Sequence, residues 1–157
     1  MYIHLSPMRD FQIPALPCLC ANLRRAARAV TYLYEQELHP VGLSSTQFTI
    51  LQTLSIAGSV TQGRLGEMLF MDSTSLTRTL AIMTRHGWIE KRPGQDRRQR
   101  RLRLSRAGEK HLSAALSHWD RAQTRLEELL GRSRSAELMR LMGQTANAVA
   151  SAAQNQE

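Results

Sequence analysis

The chain has 157 residues, 42% of them hydrophobic, and a formal net charge of +8 from 21 Lys and Arg against 13 Asp and Glu. That length suits one domain, or one domain with a dimerisation layer, and the basic excess points to nucleic acid or an anionic surface. No apolar run reaches the ~20 residues of a membrane span, no leader-like charged start and apolar stretch opens the chain, and two cysteines make no disulfide scaffold, so the expectation is a cytoplasmic protein with free thiols.

Residues 1–13 show no clear period and read as an N-terminal arm. Pro14 and Pro17 mark a helix start, because proline suits the first helical turn. Leu16, Leu19, Leu23, Ala26, Val30 and Leu33 then recur at spacings of three and four. This is one apolar stripe on a helix running to about His39, stopped by Pro40 and Gly42. Ser45 reads as the cap of a second helix, with Phe48, Leu51 and Leu54 on its buried face and Gly58 at its end. Val60 reads as a strand of one or two residues. Thr61 caps a third helix carrying Leu65, Met68 and Leu69. Asp72 caps a fourth, with Leu76, Leu80 and Met83 inward and Gly87 closing it. Trp88 to Arg92 and Arg100 to Leu104 read as two strands around a Pro-Gly turn. Ser105 caps a long helix reaching about Leu130, with Leu112, Leu116, Trp119, Leu126 and Leu130 in a near-heptad row that Gln123 interrupts. Gly131 separates it from a last helix over about Ser135 to Ala152, where Leu138, Leu141, Met142, Thr145 and Val149 share a face.

This order predicts a mainly α fold with a small β-hairpin wing. It is a winged helix-turn-helix over residues 41–104, with residues 14–40 and 105–157 as a helical dimerisation region. A helix of ~26 residues spans ~39 Å, longer than the central unit needs. The outer apolar stripes call for a partner, which a homodimer with interleaved chain ends supplies. An intramolecular bundle is the alternative.

From Arg85 to Arg103 the chain holds eight Arg or Lys against Glu90 and Asp96, so +6 of the net +8 falls in one short window. A charge so concentrated is an electrostatic footprint for a polyanion. The fourth helix presents Ser73, Thr74, Thr77 and Arg78 away from its apolar face. Small hydroxyls allow close approach to base edges and phosphates, and Arg78 is long enough to reach a guanine. Gln62 and the open amides at the start of the third helix suit a phosphate, and Arg64 is a further phosphate candidate. In the hairpin, Arg97 at the tip would enter a minor groove, while Arg98, Arg100 and Arg101 would track the backbone. Asp96 reads as a brace for a wing arginine. Singly, these residues fit solvated faces of an arginine-rich chain; in this order they point to double-stranded DNA. A non-specific architectural DNA-binding protein is the competing class. No Gly-rich phosphate loop, H-E-x-x-H or G-x-S-x-G occurs and the five histidines are scattered, so neither an enzyme nor a cofactor is expected.

The run DSTSLTR from Asp72 to Arg78, His86-Gly87-Trp88-Ile89, Asp96-Arg97-Arg98, and Leu104-Ser105 with Gly108 together resemble the MarR family of transcriptional regulators. That family's wing carries an Asp, an Arg two later, and a Leu-Thr eight and nine later. Asp96, Arg98 and Leu104-Ser105 match, with Ser in place of Thr. The resemblance runs from about Leu16 to Val149. It implies a homodimer on a palindromic operator, usually a repressor released by a small molecule or an oxidant.

Cys18 and Cys20 fall in the first turns of the first helix. The partial positive charge there and Arg24 one turn on would favour the thiolate, the reactive form. The stretch from Cys20 to Tyr34 is similar to the organic-hydroperoxide-sensing branch of the family. That likeness implies oxidation of a single cysteine to which tyrosines such as Tyr34 hydrogen-bond. Arg24 stands where the branch commonly has a tyrosine, and Cys18 is an addition. The alternative reading is of packed or pocket-lining thiols. Two apart on a helix they point to opposite sides, which leaves a bridge between subunits. For a metal, a C-x-C pair supplies too few ligands, and His4 and His39 lack supporting spacing. The resemblance also implies an effector pocket between the outer helices and the DNA-reading unit. Its candidate walls are Leu23, Arg24, Ala27, Tyr34, Phe48, Leu51 and Leu69, with Arg24 suited to an organic carboxylate. The apolar members read first as plain core.

Overall fold

The computed structural model of the chain describes residues 14, 16–94 and 100–154. The expected arm of residues 1–13 and the wing positions Asp96, Arg97 and Arg98 lie outside the described residues. The elements run α1 (Leu19–Leu38), a 3-10 turn (His39–Val41), α2 (Ser45–Ala57), β1 (Val60–Thr61), α3 (Gln62–Leu69), α4 (Ser73–Arg85), β2 (Ile89–Pro93), β3 (Arg100–Leu104), α5 (Arg106–Leu130) and α6 (Arg132–Gln154). The fold is mainly α with a small three-stranded antiparallel sheet.

α1 starts later than its prolines suggest. Cys18, at φ −138° and ψ 113°, is extended and its side chain caps nothing. Asn22 reaches back instead. Its amide donates to the carbonyls of Leu16 at 2.7 Å and Cys18 at 2.9 Å, and Arg25 donates to the Pro14 carbonyl at 3.0 Å. These bonds tie the lead-in to the first turns of α1 where a helical turn was expected. The second helix is capped by Ser44, not Ser45. The Ser44 hydroxyl accepts from the Gln47 N–H at 3.2 Å, and the Gln47 side chain accepts from the Ser44 N–H at 2.9 Å. This is a capping box. Ser45 is taken up by α1, since the Glu35 carboxylate accepts from its N–H at 2.8 Å and from its hydroxyl at 2.7 Å.

The core gathers around α2. Phe48, Ile50, Leu51 and Leu54 meet Leu65 of α3, Leu76, Leu80 and Met83 of α4, Ile89 of β2, and Leu102 and Leu104 of β3. Each fully buried side chain of this size contributes about 1.5–3 kcal/mol. The strand order is β1-β3-β2, with Val60 opposite Leu102, Ile89 opposite Leu104 and Glu90 opposite Arg103. Alternation turns Ile89, Leu102 and Leu104 to the core and Glu90, Arg92, Arg101 and Arg103 to the other face.

α5 lies along α1 and α2, and of the expected row Leu112 is buried and Trp119 packs on the core, whereas Leu116 does not. Leu112, Ala115 and Ala122 are buried, while Leu116 is 42% exposed. Small side chains at 115 and 122 let a neighbouring helix approach closely. Gln123, read as a break in the row, accepts a hydrogen bond from the Tyr34 hydroxyl of α1. Arg121 pairs with Glu37 at 3.1 Å, and His118 Nδ1 lies 2.8 Å from the Glu37 carbonyl and 2.7 Å from Arg121 Nη2. α6 begins directly after Gly131, three residues before Ser135, and its row of Leu138, Leu141, Met142 and Val149 is exposed. Leu16, Leu19 and Leu23 are exposed at the other chain end.

The wing meets α5 at one tight point. The Ser105 hydroxyl caps α5 by accepting the Gly108 N–H at 3.0 Å and donates to the Gly87 carbonyl, while the Ser105 N–H donates to the Trp88 carbonyl at 3.0 Å. A Cβ at position 108 would lie 2.1 Å from the Trp88 carbonyl oxygen and 2.9 Å from its carbon. Backbone cannot yield as a flexible side chain does, so only glycine fits. Gly108→Ala is therefore expected to lower the unfolding free energy by about 1–3 kcal/mol, read as a fall in Tm at fixed protein concentration. An unchanged Tm would mean that α5 does not seat on Trp88.

Candidate nucleic-acid interface

α3 and α4 form the helix-turn-helix. Thr61 caps α3 by accepting the Arg64 N–H at 3.2 Å, and Asp72 caps α4 by accepting the Ser75 N–H at 2.8 Å. That same hydrogen bond is the chief cause holding the Asp72 carboxyl below its ordinary value. In the turn between them Phe70 adopts a left-handed conformation with φ 49°, its N–H bonded back to α3 carbonyls. α4 buries Leu76, Leu80 and Met83. Ser73, Thr74, Thr77 and Arg78 are brought together on the opposite face, all exposed. Gln62 does not stand open at the start of α3. Its amide donates to the Thr77 hydroxyl at 2.7 Å, and that hydroxyl donates to the Ser73 carbonyl at 2.6 Å. Arg64 pairs with Glu67 at 3.0 Å on the exposed side of α3.

Of the wing cations assigned from the sequence, Arg100 is exposed at the start of β3. Arg101 is differently employed. It donates from Nε to the Ser59 hydroxyl at 3.2 Å and from Nη2 to the Ser59 carbonyl, tying β3 to the connection before β1. Glu90 was counted in the sequence only as an acid among the cations, with no role assigned. It accepts from Arg103 Nε at 2.6 Å and Arg92 Nη2 at 2.9 Å, and the bond from Arg103 leads the causes that hold its carboxyl low. The available signal was an acid facing an arginine across the strands, which only the register reveals. At the wing root Trp88 stacks between His86, at 4.6 Å between ring centroids, and His111, at 4.4 Å. Burial, and then the charge of His86, push the His111 pKa down.

Cys18 and Cys20 are free and exposed. Because Cys18 lies before α1 in extended backbone, the opposite-sides argument made for two helical cysteines no longer holds. Tyr34 lies four turns beyond Cys20, about 21 Å along the axis, and is bonded to Gln123. No contact between the two forms within one chain. Burial, and then Glu127, raise the Tyr34 pKa. A cleft of about 370 Å³ opens between α1, α2 and the α3–α4 turn, with Val30, Thr31, Tyr34, Thr49, Leu69 and Met71 in its walls. Tyr34 and Leu69 were expected there. Phe48 and Leu51 are core instead, and Leu23, Arg24 and Ala27 are exposed on the earlier part of α1, outside the lining. Periodicity marks which face of a helix is apolar but not where a packed face gives way to a cleft. Among the described residues no cluster of His, Cys, Asp and Glu could hold a metal ion, and no helix is long and apolar enough to cross a membrane.

A recognition-type helix after a capped turn, a basic hairpin rooted beside it, and long flanking helices define a winged helix-turn-helix protein. A family model described as MarR family matches residues 41–99. An uncharacterized HTH-type transcriptional regulator, YwoH of Bacillus subtilis, is 29% identical over 92 residues, which is 59% of this chain and 67% of that protein. The solved structure of the M. tuberculosis transcriptional regulator MOSR in complex with DNA is 32% identical, with a TM-score of 0.71 over 84% of this chain and 98% of that one. A mutant MarR from E. coli complexed with operator DNA shares the fold at 22% identity, with a TM-score of 0.73 over 81% of this chain and 92% of that one. The chain belongs to the MarR family of transcriptional regulators.

The Asp72 cap has a pH signature. Its folded pKa is lowered from an ordinary 3.8, so the charged cap stabilises α4 above that value. The stabilisation is lost as pH falls through the folded pKa. Denaturant unfolding of wild type and Asp72→Asn across pH 2–6 is expected to show wild type losing its advantage only below about pH 4. Parallel curves over the whole range would show that the carboxylate charge contributes nothing to the cap.

Proposed function

We propose that the chain is a homodimeric, sequence-specific DNA-binding repressor of the cytoplasm, acting on a palindromic operator without catalysis or cofactor. The observation that carries this reading is the exposed row of Ser73, Thr74, Thr77 and Arg78 on α4, set opposite its buried face and beside a basic wing. Residues 41–104 are the DNA-binding unit, and residues 14–40 with 105–157 the dimerisation region. α4 enters the major groove, where Arg78 reaches a guanine. The wing lies at the adjacent minor groove, with Arg97 at its tip, Asp96 as brace, and Arg98 and Arg100 on phosphates. Arg64 can exchange Glu67 for a phosphate. Gln62 acts through Thr77, and Arg101 through its charge and its hold on Ser59. The unpartnered apolar rows at Leu16, Leu19 and Leu23 and at Leu138, Leu141 and Met142 support pairing of both chain ends across a dimer. The DNA complex of the MOSR structure supports the same partner.

Release follows from a small ligand in the cleft walled by Tyr34 and Leu69, or from oxidation at Cys20 with Cys18. The cleft touches α1 and the helix-turn-helix together, so an occupant bears on both. The exposure of both thiols leaves them open to an oxidant.

The test is binding to DNA upstream of the protein's own gene with random competitor at fixed salt. Arg78→Ala is expected to lose about 1–3 kcal/mol of operator preference at each half-site while retaining salt-dependent binding to any duplex. Intact discrimination in that variant would move the reading contact elsewhere, and wild type without preference would favour the architectural alternative. In the same assay, an organic hydroperoxide is expected to abolish wild-type binding and spare Cys20→Ser. Indifference of wild type to the oxidant would leave the cleft as the route of release.

A further inference from the structure

The charge on the wing is partly spent within the protein. Register sets Glu90 opposite Arg103, and its carboxylate bridges Arg103 Nε at 2.6 Å and Arg92 Nη2 at 2.9 Å. The acid is 29% exposed, while Arg92 and Arg103 are 57% and 49% exposed. The carboxylate is therefore sunk between two guanidinium groups that still face solvent. It offers those groups the acceptor chemistry of a phosphate oxygen, so a phosphate beside the wing must share the arginines with Glu90 or displace it. Pairs this exposed exchange readily. The negative charge also acts on any phosphate within a Debye length of ~8–10 Å. Arg101, on the same face, is held by Ser59. On α4 the Thr77 hydroxyl is likewise held, by Gln62 and the Ser73 carbonyl, while Arg78 is exposed.

We propose that Glu90 is a specificity-determining residue: it holds Arg92 and Arg103 in an internal ion pair, limiting the sequence-blind grip of the wing so that operator choice rests on α4. The proposal rests on the reading of the wing as a DNA-contacting element.

Glu90→Gln keeps the size of the side chain and removes its charge. Random duplex DNA is expected to bind that variant ~3- to 10-fold more tightly near 0.1 M salt, with the slope of log affinity against log salt steeper by about 1–2, at ~0.9 per added phosphate contact. The ratio of operator to random affinity falls. Adding Arg92→Gln and Arg103→Gln to Glu90→Gln returns the slope to the wild-type value or below it. An unchanged slope and ratio overturn the proposal. So does weaker binding to both DNAs by a variant of wild-type Tm and oligomeric state, because Glu90 would then be aiming the arginines at DNA. If Glu90→Gln folds poorly, Glu90→Thr, well suited to a strand, carries the same expectations. Wild type run in parallel separates the two failures. Absence of operator preference there defeats the DNA-reading assignment itself. A preference that survives Glu90→Gln unchanged defeats the role of Glu90 alone.

Discussion

The absence of a side chain at Gly108 allows backbone to pack on backbone, and α4, the sheet and α5 are joined through that contact. The start of α5 lies against the Trp88 carbonyl too closely for any Cβ. Trp88 is itself held from the other side, its N–H bonded to the Met83 carbonyl of α4 at 3.0 Å. One residue, through its N–H and its carbonyl, therefore joins the end of α4, the root of the wing and the start of the longest helix. Such a joint transmits displacement, because packed backbone shifts as a unit while flexible side chains absorb motion. Further along, α5 is fastened to α1 by Tyr34 with Gln123 and by Glu37 with Arg121. Tyr34 also walls the cleft. A continuous set of contacts thus runs from the cleft through α1 and α5 to the end of α4.

What could be read from the chain depended on how local the cause was. The caps Thr61, Asp72 and Ser105 were legible because a cap needs one short polar side chain and the amide three residues on, both visible in sequence. β3 was legible for a similar reason, with apolar and basic residues alternating between a turn and a cap. Ser45 was mistaken for the cap of α2 because the neighbouring Ser44 carries the same chemistry. The choice between them is made partly by Glu35, on another helix. The start of α1 was misjudged because Asn22, inside the helix, holds back the residues before it. The buried row of α5 was read only in part, since Ala115 and Ala122 carry almost no hydropathy signal, and their importance lies in what they leave room for. Phe48 and Leu51, named as candidate pocket walls, are the core residues that their place on the apolar face of α2 first suggested.

Charge was legible as a quantity and not as an allocation. The eight cations between Arg85 and Arg103 fix the long-range attraction for a polyanion, which depends on net charge and little on conformation. Which of them remain to touch a phosphate depends on cross-strand register and on hydroxyls such as Ser59, neither visible in a linear reading. Compositional footprints of this kind identify the class of partner well and count its contacts poorly.

The bond between Gln62 and Thr77 bears on what α4 can offer a base. A threonine hydroxyl has one proton and two lone pairs. Here the proton is given to the Ser73 carbonyl and one lone pair to Gln62. What remains is a single lone pair and the γ-methyl. At the centre of an outwardly polar row, Thr77 therefore has more hydrocarbon than hydrogen-bonding capacity left to present. Under the proposed placement of α4 in a major groove, the complement of such a side chain is the 5-methyl group of thymine.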